Sequence, residues 1–315
     1  MISSPTFTNS VERALLEAHA GDVYQVVREI GRGGMGVVFL ARDVMLHRLV
    51  AIKVLRHDLA ETEEHRVRFR REARVTAQLN DDGIVAVHGF GEKENLVYFV
   101  MEFVRGAPLG TRLRHAKSQR LEPNEARAIL SSLARTLDYA HAHGIVHRDL
   151  KPENILLEQE TGRPRLTDFG VALSRSMDPL PSEIARAFGT PHFMSPEQAA
   201  GETDIDGRSD VYSLGILGYL MVTGEVPFNG SHFGEIAAKH IAAELIPTKV
   251  RVPSVPVDLA LAIDKCLEKE PARRWKRAGD LADALEAANS RPNGFKAVTW
   301  LGRVAALASL SLVRP

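Results

Sequence analysis

Cysteine, net charge and long apolar runs are what this 315-residue chain has least of. Its single cysteine, Cys266, has no partner for a disulfide within the chain. Forty Lys and Arg balance forty Asp and Glu, and a net charge of zero argues against a protein that coats nucleic acid or an anionic membrane. The N-terminus lacks the basic start and apolar run of a signal peptide, so we expect a cytoplasmic protein.

What is present is the composition of a globular protein, 44% hydrophobic and 25% charged, with room for one large domain or two lobes. Residues 1–22 are predicted to be an N-terminal extension with a peripheral amphipathic helix over Val11–Ala18, whose apolar positions are Leu15 and Leu16. Residues 23–104 read as a small sheet domain around one helix. Its predicted strands are Tyr24–Ile30, Val37–Arg42, Val50–Leu55, Ile84–Phe90 and Val97–Phe103.

Residues 105–290 are predicted to form a larger, mainly helical lobe after a linker at Gly106–Pro108. The segment Val211–Val222 is apolar on every side and predicts a helix buried in the middle of this lobe, with Ser209 and Asp210 as caps. The other predicted helices are Asn124–His141, Asp258–Glu268 and Gly279–Ala288.

Four glycines, Gly31, Gly33, Gly34 and Gly36, form a GxGxxG motif, which dinucleotide-binding folds also use. In those folds the glycines open a helix, but here Val37 to Leu40 continue as a strand. The motif therefore predicts a hairpin turn that can lie over the phosphates of a nucleotide, and a glycine-rich hairpin without a ligand is the alternative.

Lys53 lies on the third predicted strand, where a neighbouring strand can place its ammonium beneath the glycine loop. An inward lysine needs an acid nearby. Glu72 can supply it, because it falls on the apolar stripe of the first lobe's helix. That helix is predicted over Glu61–Leu79, and its inward positions are Phe69, Ala73, Thr76 and Leu79 or Asn80. The alternative is a surface pair with Arg68 worth about 0.3 to 0.5 kcal/mol, which does not explain an acid on an apolar stripe.

Two short segments carry the chemistry: His147-Arg-Asp-Leu-Lys-Pro-Glu-Asn154 and Asp168-Phe-Gly170. An alcohol is a poor nucleophile, so an acceptor carboxylate such as Asp149 must orient it and take its proton, while Lys151 offsets charge on a phosphoryl group in flight. Asn154 and Asp168 supply the hard oxygen ligands that suit Mg²⁺.

These motifs, in this order, resemble those of the eukaryotic-type serine/threonine protein kinases, most of all the bacterial members, over about residues 23–290. The resemblance implies an α+β, two-lobed kinase fold: an antiparallel β-sheet N-lobe with one helix and a mainly helical C-lobe. It implies transfer of the γ-phosphoryl group of ATP, with Mg²⁺ or alternatively Mn²⁺, to Ser/Thr hydroxyls of protein substrates, the kinase itself included. No nucleic-acid partner is expected.

By the same resemblance Lys53 holds the α- and β-phosphates and pairs with Glu72, Asp149 is the catalytic base, and Asn154 and Asp168 bind the metal. Thr190 would contact Asp149 and Lys151. The resemblance further implies a nucleotide site with the glycine loop, the adenine-contacting side chains and the hinge. Its residues are Ile30, Gly31, Gly33, Gly34, Gly36, Val38, Ala51, Lys53, Met101, Glu102, Phe103, Val104 and Leu156.

The resemblance also implies two structural pairs in the C-lobe. Glu197 would pair with Arg274, and Asp210 would brace the backbone around His147 and Arg148. Ser195 replaces the alanine that is more usual before Pro-Glu, a departure expected to be harmless.

Other interpretations remain open at this point. A pseudokinase scaffold would be expected to lack one of Lys53, Asp149, Asn154 or Asp168, all of which are present, and small-molecule phosphotransferases have a different catalytic loop. The histidines show no accompanying cluster at metal-ligand spacing. Cys266 is expected to be a small core residue, because nothing identifies a base beside it.

Two segments suggest regulation. Ser182, in the segment between Asp168-Phe-Gly170 and Ser195-Pro-Glu, is the favoured phosphorylation site, because Arg148 beside the catalytic aspartate is neutralised by a phosphorylated residue in related kinases. The tail 291–315 is expected to pack on the C-lobe, and contact with the inner face of the membrane is the alternative. A homodimer is a further expectation, since relatives often pair through the N-lobe.

Overall fold

The structure, a computed structural model, describes residues 10–169 and 191–289. Its N-terminal half contains α1 (Val11–Ala20), β1 (Tyr24–Arg32), β2 (Gly36–Asp43), β3 (Arg48–Leu55), α2 (His57–Ala60), α3 (Glu63–Thr76), β4 (Val87–Lys93) and β5 (Leu96–Glu102). The five strands form one antiparallel sheet in the order β1-β2-β3-β5-β4. The predicted sheet domain is therefore present, with the short helix α2 as an addition to the single helix expected.

Period-two alternation divides this sheet into two faces. On β3 the side chains of Val50, Ile52 and Val54 belong to one apolar cluster, whereas Ala51 and Leu55 belong to another on the opposite face. Lys53 lies between Ala51 and Leu55 in this alternation and so shares their face.

Helix α1 covers the first of these faces. Leu16, one of the two predicted apolar positions, has no exposed surface, and Ala20 is 5% exposed. Both pack with Val37, Phe39 and other residues of the sheet. The helix predicted to be peripheral thus completes the apolar cluster on the sheet face that lies opposite Lys53, which we call the outer core of the N-lobe.

Helix α3 covers the opposite face. Phe69, Glu72, Ala73 and Thr76 are all buried, as the stripe predicted, and the Phe69 ring lies 5.0 Å from that of Phe99 on β5. The stripe therefore directs the Glu72 carboxyl group toward the sheet.

The fourth strand begins three residues later than predicted. Ile84 and Val85 do not join β5; Ile84 instead bridges Leu166, whose carbonyl accepts a 2.8 Å hydrogen bond from the Val85 amide. Local β-propensity cannot tell whether Ile84 pairs with β5 or with Leu166, because its backbone is extended in either case.

The C-terminal half contains β6 (Gly106–Pro108), α4 (Leu109–His115), α5 (Pro123–Ala142), β7 (Ile155–Glu158), β8 (Pro164–Leu166), α6 (Pro196–Ala199), α7 (Gly207–Thr223), α8 (Phe233–Ala242), α9 (Thr248–Arg251), α10 (Val257–Cys266) and α11 (Ala278–Asn289). The predicted linker is strand β6, which pairs with β7 in a three-stranded sheet ordered β6-β7-β8. The predicted helical lobe is present around this small sheet.

Helix α7 is the buried centre of the C-lobe, as its uniformly apolar sequence predicted. The predicted caps are wrong, however. The N-cap is Asp206, whose side chain accepts from the Arg208 amide, and the helix starts two residues before Ser209. Ser209 and Asp210 lie inside the first turn and are buried, so their polar groups serve contacts with other segments.

Within residues 10–169 and 191–289, no helix combines the length and apolar character that crossing a membrane requires.

Candidate active site

The glycine motif is a hairpin between β1 and β2. Arg32 pairs with Val37, and the Gly33 amide donates to the Gly36 carbonyl at 2.8 Å. A Cβ on Gly36 would lie 2.8 Å from the Val54 carbonyl oxygen, so the close approach of β3 requires glycine here. Because the motif does not open a helix, the dinucleotide-binding geometry is excluded.

Lys53 is held between two carboxylates. Its Nζ lies 2.7 Å from Glu72 Oε1 and 2.9 Å from Asp168 Oδ1, and both Lys53 and Glu72 are buried. Arg68 pairs with Glu64 instead, which removes the surface-pair alternative for Glu72. One ammonium thus connects β3 and α3 with Asp168, which lies two residues after the end of β8.

The opposite charges of Lys53 and its carboxylate neighbours outweigh burial in setting the pKa values of Lys53 and Asp168. Burial by itself would lower the pKa of Lys53, but the carboxylates of Asp168 and Glu72 raise that pKa above its ordinary value. Burial opposes ionisation of Asp168 as well, yet the charge and hydrogen bond of Lys53 hold its pKa below the usual range. These shifts favour a positive Lys53 beside an ionised Asp168, whereas burial raises the pKa of Glu72.

Asp149 is partly exposed in the catalytic-loop segment, with 40% of its side chain accessible. Lys151 Nζ lies 2.7 Å from its Oδ2, and the Asn154 amide nitrogen donates to the same oxygen at 3.0 Å and to the Asp149 carbonyl at 2.8 Å. These contacts orient one carboxylate oxygen, while the exposure leaves the group accessible to a hydroxyl.

His147 is fully buried and acts as a backbone support. Its Nδ1 accepts from the Asp149 amide at 3.3 Å, so Nε2 carries the proton donated to the Thr167 carbonyl at 3.1 Å. The ring also lies 4.7 Å from that of Phe169. One imidazole therefore ties the loop of Asp149 to the segment of Asp168.

Two residues of this region hold strained backbone conformations. Arg148 has φ +65° and Asp168 has φ +58°, both in the left-handed region that costs a non-glycine residue about 1 to 3 kcal/mol when the strain is stored at a functional site. Asp210 stabilises the first: its two oxygens accept from the amides of His147 and Arg148, each at 2.9 Å. The brace implied for Asp210 is present, with His141 Nε2 at 2.7 Å as a third partner.

The residues expected to hold a divalent cation suit one chemically. The Asn154 amide nitrogen is engaged by Asp149, which leaves its carbonyl oxygen as the amide atom able to coordinate. Asp168 supplies an ionised carboxylate in the same region. No group of three or more His, Cys, Asp or Glu side chains in the described part of the chain could hold a metal. Few protein ligands suit Mg²⁺, which takes one or two carboxylates and completes its shell with substrate phosphates.

The side chains predicted to enclose adenine, those of Val38, Ala51, Met101 and Leu156, meet with the hinge residue Val104 in one apolar cluster at the sheet's inner face. Ala51, Met101 and Val104 are buried in it, and Val38 and Leu156 pack against it while partly exposed. Ala51 pairs with Met101 across β3 and β5. Residues from both lobes thus face one another where the chain passes from β5 to β6.

The Glu197–Arg274 pair is also present, with a bidentate geometry of 2.7 and 2.8 Å. Ser195 is fully buried and caps α6, accepting from the Gln198 amide at 3.3 Å. Thr190, Ser182 and the tail 291–315 lie outside the described residues, so the predictions for them stay predictions.

Two residues with clear structural roles here were not indicated by the sequence patterns. Gln198 donates from its side chain to the Arg148 carbonyl at 2.8 Å, and the buried Arg165 bonds to Glu102 at the end of β5. A charged residue within the short apolar strand β8 was the only signal for the second. Cys266 is 1% exposed, and burial raises the pKa of its thiol, as expected of a core residue.

The two lobes, the glycine hairpin and the Lys53, Asp149 and Asp168 geometry define a protein kinase. Residues 24–286 match the protein kinase domain family, and the chain belongs to that family. Family membership carries with it the use of ATP and a divalent metal, and protein substrates, in general.

Kinases of several bacteria are similar to this chain. Serine/threonine-protein kinase PknB of Mycobacterium leprae is 40% identical over 279 residues, covering 87% of this chain and 44% of that protein. Serine/threonine-protein kinase PrkC of Bacillus subtilis is 39% identical over 265 residues, covering 84% of this chain and 40% of that protein. The chain thus spans less than half the length of these curated relatives. The crystal structure of the Mycobacterium tuberculosis PknI kinase domain matches with a TM-score of 0.66 and 30% identity over 85% of this chain and 96% of that one.

Proposed function

We propose that this chain is a serine/threonine protein kinase that transfers the γ-phosphoryl group of ATP to hydroxyls of protein substrates, itself included. The observation that carries the proposal is the pair of ion contacts at Lys53, 2.7 Å to Glu72 and 2.9 Å to Asp168. A kinase requires this lysine, the α3 glutamate and the metal-binding aspartate to be in place together. The names of the similar bacterial proteins support the Ser/Thr class.

In this proposal Asp149 accepts the proton of the incoming hydroxyl. Its Oδ2 already accepts from Lys151 and Asn154, which fixes the carboxylate while its exposure admits the substrate. Orientation of the nucleophile and neutralisation of charge are what phosphoryl transfer needs from a protein. Lys151 also offsets charge on the phosphoryl group as it moves to the hydroxyl oxygen.

Asn154 and Asp168 are the residues proposed to hold Mg²⁺, with Mn²⁺ as the alternative ion. The bound ion supplies charge neutralisation for the β- and γ-phosphates. Lys53 contacts the α- and β-phosphates in the same proposal, and its raised pKa supports a permanent positive charge for that task.

The glycine hairpin from Ile30 to Gly36 is proposed to cover the phosphates. The partly exposed side chains of Val38 and Leu156 are proposed to enclose adenine together with Ala51 and Met101, and the backbone of Glu102 and Val104 to hydrogen-bond its edge. The support for this assignment is that the apolar side chains form one cluster drawn from both lobes.

The experiment is phosphoryl transfer by purified variants. Lys53→Met, Asp149→Asn and Asp168→Asn should each reduce transfer to near background, because loss of a general base alone typically costs about 10² to 10⁴ in rate. Arg163→Met is the matched control, since Arg163 forms an exposed pair with Asp82 away from the site. Turnover of the Asp149→Asn variant at the rate of the parent would refute the proposal and favour another acceptor.

Two further proposals concern Ser182, in a regulatory role, and Thr190, in the substrate cleft. Ser182 is proposed to be phosphorylated in the active enzyme, with Thr190 reserved for the substrate cleft beside Asp149. Mass spectrometry after incubation with Mg-ATP, together with the rate of Ser182→Ala, tests the first. Absence of phosphate on Ser182 combined with an unchanged rate contradicts it.

Placement in the cell is a separate proposal. We expect a cytoplasmic enzyme whose tail 291–315 packs on the C-lobe. Recovery of the full chain in washed membranes, but not of a chain ending at Ser290, would show instead that the tail anchors it to the membrane.

A further inference from the structure

Arg165 is a buried charge that the proposed chemistry does not use. It is 9% exposed and lies in the middle of β8, a strand of only three residues. A guanidinium in such a place is tolerated only with acceptors around it.

Its acceptors come from both lobes. Nη2 donates to Glu102 Oε2 at 2.6 Å and to the Ile84 carbonyl at 3.1 Å, both in the N-terminal half. Nη1 donates to Glu158 Oε1 at 2.8 Å on β7 and to Glu102 Oε1 at 3.2 Å. Three of these four hydrogen bonds therefore connect the two lobes, two of them to Glu102, while the bond to Glu158 stays within the C-lobe.

Glu102 is the residue at which β5 ends. Its amide donates to the Ala86 carbonyl at 2.9 Å, and it pairs with Val50 of β3. Once its side chain is held by Arg165, the carboxylate and the backbone amide are both anchored. The backbone that follows it toward Val104 starts from a fixed position.

Arg165 is equally well fixed on the other side of the cleft. It lies directly opposite Leu156 in the register of β7 and β8. Leu156 packs against the cluster that contains Ala51, Met101 and Val104. The Arg165 guanidinium therefore links β7, which carries Leu156, to the end of β5 at Glu102.

We propose that Arg165 is a positioning residue for nucleotide binding, which sets the backbone after Glu102 relative to Leu156. The inference rests on the proposed function, because the assignment of this backbone to adenine is part of that proposal. A change of tenfold in nucleotide affinity corresponds to about 1.4 kcal/mol, less than one hydrogen bond to a charged group contributes. An effect of that size is therefore within reach of the contacts seen.

The test compares Arg165→Met with Arg165→Lys in the full chain, with Arg163→Met as control. Arg163 lies two residues away, and its pair with Asp82 is exposed. The readouts are the Kd of Mg-ADP by calorimetry, the KM values for ATP and for a peptide substrate, and the melting temperature. We expect Arg165→Met to raise the Kd for ADP and the KM for ATP about tenfold, with the peptide KM within twofold of the parent.

Arg165→Lys should recover part of the affinity, because an ammonium can still pair with one carboxylate. Arg163→Met should change neither nucleotide constant by more than twofold. Adding Glu102→Gln to Arg165→Met should cause no further loss, because both changes remove the same contact. Should Arg165→Met fail to fold, Glu102→Gln alone carries the test and should raise the Kd for ADP at least threefold.

A folded Arg165→Met protein with a lowered melting temperature but unchanged nucleotide constants would overturn the inference, since Arg165 would then only stabilise the fold. The same holds if Glu102→Gln leaves the Kd unchanged. Failure of the proposed function looks different, because the parent protein itself would then transfer no phosphate.

Discussion

We predict a large loss of stability for Arg274→Met, which removes one partner of a buried ion pair. All five N–H groups of the Arg274 guanidinium have an acceptor: Glu197 Oε1 and Oε2 at 2.7 and 2.8 Å, and the carbonyls of Glu268, Arg208 and Lys269 at 2.8 to 2.9 Å. The side chain has no exposed surface, and that of Glu197 is 7% exposed. Methionine keeps a similar length but donates nothing.

The magnitude follows from burial. Removing one partner of a buried ion pair leaves an uncompensated charge and costs about 3 to 5 kcal/mol. Here Glu197 would lose both hydrogen bonds from the guanidinium, and three carbonyls would lose their donor. With a urea m-value of about 3 kcal/mol/M, a loss of about 4 kcal/mol lowers the unfolding midpoint by about 1.3 M.

Arg135→Met is the matched control. Arg135 contacts Asp283 and Glu286 at 2.6 Å each, distances as short as those of Arg274, but the three side chains are 46%, 69% and 50% exposed. An exposed pair contributes about 0 to 1 kcal/mol. The two variants therefore differ in burial much more than in geometry.

The assay is urea unfolding followed by the fluorescence of Trp275, in a Trp300→Phe background so that one tryptophan of the C-lobe reports. We expect the Arg274→Met midpoint to fall by at least three times as much as that of Arg135→Met, at equal m-values. Equal shifts for the two variants would refute the reasoning that burial sets the energy of these pairs.

Three further predictions concern other parts of the structure. Leu16→Ala should destabilise the protein by about 2 to 5 kcal/mol in urea unfolding, because Leu16 has no exposed surface in the outer core; a loss below about 0.5 kcal/mol would mean that α1 does not pack there. Cys266 should resist thiol reagents at neutral pH until denaturant is added, because it is buried and its thiol pKa is raised; stoichiometric labelling of the native protein would contradict this. Burial opposes ionisation of Asp210, but hydrogen bonds from His141 and the loop amides lower its pKa in the folded protein below the usual 3.8. The ionised Asp210 therefore stabilises the fold fully above pH 3.8, and this stabilisation is lost as the pH falls through the lowered pKa. The stability difference between the parent and Asp210→Asn should therefore shrink on acidification, and a difference that grew would have the wrong sign.

The sequence predicted the elements whose patterns are local. The predicted apolar stripe of α3 was correct because apolar spacing indicates which face of a helix is buried, and the same spacing directs Glu72 toward Lys53. The apolar sequence of α7 likewise predicted a central helix. The order of the catalytic motifs was sufficient to suggest the family.

Features that depend on distant partners could not be predicted. Ser209 and Asp210 are good cap residues by type, but their side chains instead contact distant segments, Ser209 through Glu197 and Asp210 through the amides of His147 and Arg148. Ile84 was assigned to a strand of the large sheet because its bridge to Leu166, far along the chain, leaves no local pattern. The contacts of Arg165 could not be predicted for the same reason, because its partners Ile84 and Glu102 are far from it in the sequence.

Incubation of the parent protein with Mg-ATP and a generic protein substrate, followed by identification of the phosphorylated residues, tests the central claim most directly. The account predicts phosphoserine and phosphothreonine on the substrate, lost when EDTA removes the metal and lost in Asp149→Asn, while that variant still binds Mg-ADP. Nucleotide binding by the parent without any phosphoryl transfer would contradict the account and leave a pseudokinase scaffold in its place.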